Sequence, residues 1–257
     1  RILTRKLNWK LMLDTFLAPY HFCVLHRDSI CAIFYENLTT FDTWGPHMRL
    51  VAARRTIEKL GMVGVQVLTN FGGKLLHEPE FDPIWEEAQG LGVPICAHII
   101  STNSAAIDRF DRYVFKHAFY ALDTMLAVSS FTCGGILERF PQLKVAFMEA
   151  GAGWVPWMMD RLHEHYELLP QQMPWQKRSP AEWIKSENCF FAVEPEETTI
   201  PFVAQMIGEE RLIYASDYSH WDCMCPDSVK VLYERKDISN GLKKKILNEN
   251  AARLFNL

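Results

Sequence analysis

The seven cysteines of this chain (Cys23, Cys31, Cys96, Cys133, Cys189, Cys223, Cys225) include no C-x-x-C pair, so neither a zinc ribbon nor a thioredoxin-like redox site is expected. Their number is odd and their positions scattered, the usage expected of reduced thiols in a cytoplasmic protein. Cys96 and Cys189 lie inside apolar runs and read as small core residues. No run approaches the roughly 18 apolar residues of a membrane span. The first apolar stretch, 11–25, is interrupted by Asp14, Pro19 and His21 and is too broken for a signal-peptide core. A basic excess is missing as well: the net charge is −4 and the pI near 6.2, which leaves no cationic stripe for nucleic acid. A small-molecule partner is the expectation that survives.

At 257 residues, 49% apolar and 23% charged, the chain is long enough for one large α/β domain with a sizeable core. It opens at Arg1 with no Met, which reads either as an artificially chosen start or as a longer parent that has lost its beginning. A single domain over 1–257 is expected, with 1–28 as an irregular or helical lead-in. From residue 29 onward strand-like and helix-like segments alternate, the pattern of βα units around a parallel sheet. Six strands are expected: 30–35, 63–68, 93–100, 143–148, 189–193 and 212–215. The later ones are continuous apolar runs, as strands buried on both faces should be. Helices are expected over 48–60, from a cap at Asp82, across 105–130, over 134–140 and 156–168, from the capping-box sequence Ser179-Pro-Ala-Glu182, and over 199–207 and 242–255. This order fits an open doubly wound sheet or a (β/α) barrel. Gly151-Ala-Gly153 follows a strand, but Pro156 stands where the third glycine of a dinucleotide fingerprint would be, so the barrel is preferred.

Chemistry gathers where strands end. His98 closes the run from Val93, Glu149 closes the run from Leu143, and Asp217 and His220 follow Leu212–Ala215. In a barrel such ends share one mouth, so three groups distant in sequence would meet around one cavity. Imidazole nitrogen and carboxylate oxygen together suit divalent zinc or manganese. Trp154 follows the Gly-rich turn and can line a pocket for an aromatic substrate. His117 lies on an aromatic stretch and reads as packing or a pocket wall. His163 and His165 fall on a helix about 200° apart and cannot hold one ion together.

These segments, together with Gly61-Met-Val-Gly-Val-Gln-Val, Phe81-Asp-Pro-Ile-Trp-Glu-Glu-Ala, Gly134-Gly-Ile-Leu-Glu-Arg-Phe-Pro-Gln-Leu-Lys-Val, Ala215-Ser-Asp-Tyr-Ser-His-Trp-Asp222 and Ile246-Leu-Asn-Glu-Asn-Ala-Ala-Arg-Leu-Phe, resemble the amidohydrolase-related family. The resemblance runs in order from about residue 48 to the C-terminus. It points to the branch that holds aminocarboxymuconate-semialdehyde and γ-resorcylate decarboxylases. It implies a (β/α)8 TIM-like barrel with a divalent metal, zinc first and manganese second. It implies His98 and Asp217 as metal ligands, Glu149 and His220 as catalytic groups, and Trp154 and Asp222 as substrate contacts. Glu149 stands where many members carry a histidine, and Ser219 replaces a proline.

Members of that family open with a strand carrying His-x-His or Glu-x-His, and no such motif occurs before residue 30. The barrel is therefore expected to be incomplete, with one or two N-terminal strands missing and its edges covered by residues 1–28 or by a second copy in a homodimer. Three functions follow from the resemblance. The first is metal-dependent hydrolysis of a small carboxylated or cyclic substrate, and the second is non-oxidative decarboxylation at the same site. The third is a metal-free, non-catalytic member that binds a ligand or forms a dimer.

Overall fold

The computed structural model describes the backbone of residues 34–44 and 47–54, and residues 62–71, 73–99, 109–218, 220 and 222–257 in full. The expected strand segment 30–33 and the whole of the lead-in 1–28 lie outside these residues. The chain separates into two compact units, Arg1–Met62 and Val63–Leu257.

In the first unit, β1 (Phe34–Trp44) pairs antiparallel with β2 (His47–Arg54) in a two-stranded sheet. This corrects two expectations. The strand near residue 34 is antiparallel, and the first half of the helix expected over 48–60 is extended. Cross-strand pairing decides the outcome there, because strand formation depends on the partner and not on local spacing.

The second unit holds five parallel strands: β3 (Val65–Leu68), β4 (Ile95–His98), β5 (Val145–Met148), β6 (Cys189–Val193) and β7 (Leu212–Tyr214). Their order in the sheet is their order in the chain. A doubly wound sheet reverses strand order at a switch point, whereas a (β/α) barrel adds each strand beside the last. Sequential order therefore favours the barrel architecture.

Helices link the strands: α1 (Asp82–Gly90), α2 (Tyr113–Ala118), α3 (Ala121–Phe131), α4 (Ile136–Arg139), α5 (Val155–Leu168), α6 (Pro180–Lys185), α7 (Ile200–Ile207) and α8 (Ser228–Glu234). The C-terminal segment is α9 (Asn240–Lys244), a π turn (Lys245–Glu249) and α10 (Asn250–Phe255). Ser179 forms the expected capping box with Glu182. Asp82 does not cap α1; its carboxylate instead takes Arg139 at 2.9 Å. The stretch Tyr113–Arg139 has the length and mean hydropathy (1.2) of a membrane span, but it divides into three helices and 56% of its apolar window is buried.

The sheet is buried on both faces. On one, Phe147 and Phe191 stack at 5.2 Å, and edge contacts extend the row to Phe131 and Trp85 in one direction and to Trp154 in the other. On the other, Ala146, Phe190, Ala192 and Ile213 pack against Leu254 of α10.

Asn250 fastens that C-terminal segment. It is fully buried, and its amide donates to the carbonyls of Leu212 (2.6 Å) and Glu209 (2.8 Å). Asn250→Ala strands these acceptors, at about 1–3 kcal/mol for each buried group left without a partner. A loss near 2 kcal/mol corresponds to a fall in Tm of roughly 4–8 °C for a chain of this size. Thermal unfolding followed by circular dichroism checks it, and an unchanged Tm contradicts the assignment.

Candidate active site

Parallel pairing sets the level of the first three groups. His98 is the last residue of β4 and lies in register with Met148, the last residue of β5, so Glu149 stands one step beyond it on the neighbouring strand. Asp217 follows β7 by three residues. Glu149 and Asp217 both have left-handed backbone, with φ of 56° and 51°. Non-glycine residues rarely adopt this conformation, and where they do the surroundings hold them there, often at functional sites.

The side chains converge. His98 Nε2 lies 2.8 Å from Glu149 Oε2. His220 Nδ1 lies 3.1 Å from Glu149 Oε1 and 3.0 Å from Asp217 Oδ1. Glu149, Asp217 and His220 offer ligand atoms within 4.8 Å of one another. Glu149 is the most buried of the four, its side chain only 13% exposed, while His220 at 53% faces outward. Glu149 and Asp217 border a cavity of about 440 Å³ that is also lined by Asp222, His117, Tyr120, Met224 and the loop Glu194–Glu197.

Charge is uneven there. The 2.8 Å approach of the Glu149 carboxylate raises the His98 pKa against the opposing effect of burial. The charge of Asp217 raises that of His220. Burial works to raise Glu149, but His98 and His220 outweigh it and hold its carboxyl below the ordinary range. Burial and the Glu149 charge raise Asp217. Burial, reinforced by Glu196, Asp217, Glu197 and Glu149, pushes Glu194 up to about 7. The crowding of carboxylates is what a cation would relieve.

The donor set fits a divalent metal on two further observations. His98 Nδ1 lies 2.9 Å from the Ile99 carbonyl, which fixes its proton on that nitrogen and leaves the Nε2 lone pair turned to the cavity. Glu149 Oε2 is buried without a well-formed hydrogen bond, its close neighbour being that same Nε2. Two lone pairs facing each other call for a proton or a cation between them.

The family model for amidohydrolases matches residues 45–257. The chain belongs to the amidohydrolase family. A second model, for the catalytic domain of the ring hydroxylating alpha subunit, matches residues 2–69. Among curated relatives of this amidohydrolase, the 2-amino-3-carboxymuconate-6-semialdehyde decarboxylase of Dictyostelium discoideum is 28% identical over 240 residues, covering 90% of this chain and 65% of that protein. Among solved structures, the 5-carboxyvanillate decarboxylase of Sphingomonas paucimobilis aligns at a TM-score of 0.68 and 21% identity, over 79% of this chain and 61% of that one. The 5-carboxyvanillate decarboxylase of Novosphingobium aromaticivorans, solved with manganese and 4-hydroxy-3-methoxy-5-nitrobenzoic acid, aligns at 0.66 and 24% identity, over 79% and 59%. The chain thus spans just under two thirds of these proteins. The solved structures share the TIM-barrel fold with this chain, and the Novosphingobium protein holds manganese, which supports a divalent metal without specifying zinc.

The structure brings His98, Glu149, Asp217 and His220 together and places Asp222 at the cavity, where it pairs with His117 at 3.3 Å. The ring of Trp154 packs edge-on to Phe191, and its Nε1 donates to the Ala150 carbonyl at 2.9 Å. It pins the Gly-rich turn from the core side. Sequence reasoning missed Glu194 and Glu197. A signal for Glu194 existed, since it directly follows an apolar strand as Glu149 does. Glu197 had no such signal.

Proposed function

We propose that this amidohydrolase is a metal-dependent decarboxylase of a small aromatic carboxylic acid, with His98 and Asp217 holding the ion and Glu149 and His220 handling the proton. The observation that carries this reading is the meeting of those four side chains at one rim of the sheet. The relatives and structural neighbours, decarboxylases by name, support carbon dioxide release over hydrolysis. Bound there, a divalent ion supplies Lewis-acid polarisation of a substrate oxygen.

The residues of the chain do the rest. Non-oxidative decarboxylation breaks the bond between ring carbon and carboxylate, releases carbon dioxide and leaves an electron pair on carbon that must take a proton. Glu149, ionised at rest beside His98 and His220, is placed at the inner end of the cluster to relay one from the imidazole side to carbon. His220 bridges Glu149 to Asp217 and to the solvent side, so its imidazole can return a proton to Glu149 after each turnover. Tyr120 and His117 wall the cavity where a flat ring would lie.

Incubating the protein and manganese with a panel of hydroxylated and methoxylated benzoic acids, and with amides and lactones of similar size, separates the two chemistries. The expected result is carbon dioxide with the decarboxylated arene. Release of amine or alcohol without carbon dioxide would make the protein a hydrolase.

A further inference from the structure

We infer that Glu197, which touches none of the proposed metal ligands, is the positioning residue that locks the Gly151–Gly153 turn and so fixes the backbone of Glu149; the inference rests on the proposed metal site. The Glu197 carboxylate takes the Ala152 amide on both oxygens, at 3.0 and 3.1 Å, just ahead of the first turn of α5. Thr199 Oγ1 donates to the same carboxylate at 2.8 Å. The turn is shaped around this group. A Cβ on Gly151, whose φ is 59°, would lie 3.3 Å from Glu197 Oε2, and one on Gly153 would lie 2.7 Å from Thr199 Oγ1.

The clamp is itself anchored. Arg235 Nη1 donates to the carbonyls of Pro195 (3.1 Å) and Glu197 (2.6 Å), and its Nε donates to Asp237 at 2.9 Å. The turn meanwhile is held from the core by Trp154 through the Ala150 carbonyl. Glu149 lies three residues before Ala152 and has a left-handed backbone that its own side chain does not favour. Such a conformation persists only where its neighbours over-determine it. Release of the turn lets Glu149 relax and withdraws a carboxylate from the cluster with His98, Asp217 and His220.

A glycine-rich turn before a helix commonly accepts a phosphate. Here the chain's own carboxylate fills that place, which also removes the dinucleotide reading of Gly151 and Gly153.

The test compares the full chain with Glu197→Ala and Glu197→Gln by three measurements: manganese affinity by titration calorimetry, exchange of the Ala152 amide by NMR, and Tm. Gln keeps one acceptor for Ala152 and removes the charge. In Glu197→Ala we expect faster Ala152 exchange and manganese affinity about 10–100-fold weaker, the size of effect seen when a supporting partner of a ligand is lost, with the protein still folded at the assay temperature. Glu197→Gln should restore most of both. Parent-like affinity in the alanine variant, equal weakening in both variants, or weakening that only follows unfolding would each overturn the inference. If the parent binds no manganese, the proposed metal site fails instead. The amide exchange then decides alone: unchanged exchange in Glu197→Ala removes the clamp, and faster exchange restored by Gln upholds it.

Discussion

Glu149→Gln should lower kcat on a decarboxylated substrate by about 10²–10⁴-fold, the range for loss of a positioned proton donor, with little change in Tm. The amide matches the carboxylate in shape and can still face His220, but it cannot pass a proton to carbon. The effect should fall on kcat more than on KM, because the proton is needed only as the ring carbon changes charge. The strained backbone at Glu149 adds a second comparison. Glu149→Gly accepts the positive φ without cost. It should therefore be as inactive as the glutamine variant. Steady-state kinetics of the two variants check this. Activity in the glutamine variant within a few fold of the parent would remove Glu149 from proton transfer.

The second large effect concerns the ion. His98→Ala and Asp217→Ala should each lose stoichiometric manganese, measured by elemental analysis after loading and desalting, and activity with it. Two protein ligands alone hold a catalytic metal poorly, since such sites normally use three or more. Glu149 Oε2 lies 2.8 Å from His98 Nε2 and His220 Nδ1 lies 3.0 Å from Asp217 Oδ1, so both proton carriers stand beside the two proposed ligands. Binding should also depend on pH. The partner carboxylate keeps His98 protonated to a higher pH than an ordinary histidine, and that proton occupies the lone pair an ion needs. Manganese affinity should climb as pH rises through this raised value and level off above it. Without metal the sign reverses. A histidine raised by folding stabilises the protein below its unfolded pKa, and the stabilisation is lost as pH rises through the folded value. Retained metal in either alanine variant, or affinity independent of pH, would contradict the ligand assignment.

Much of the second unit was legible in the sequence for one physical reason. Strands buried on both faces must be apolar, so 189–193, 212–215 and the core of 143–148 stand out without alternation, whereas 63–68 carries the exposed Gln66. His98, Glu149 and Asp217 were legible because each interrupts or follows such a run with a group that apolar surroundings tolerate only with a partner. The first unit was not legible in this way. Residues 48–54 show helical spacing but form a strand, because the partner strand, not the local pattern, selects the conformation. A large aromatic next to a site serves a pocket or a core equally well by sequence, and the contact of Trp154 with Phe191 is visible only in the structure. Glu197 was hidden because its work is done on a backbone amide 45 residues away, a pairing that no local pattern records.

The most direct test is diffraction from crystals of the parent soaked in manganese, with anomalous data collected at the metal edge. One strong anomalous peak bonded to His98 Nε2 and to an Asp217 oxygen, with Glu149 and His220 around it, is the predicted result. No peak at this rim of the sheet, or a single peak elsewhere in the molecule, would contradict it.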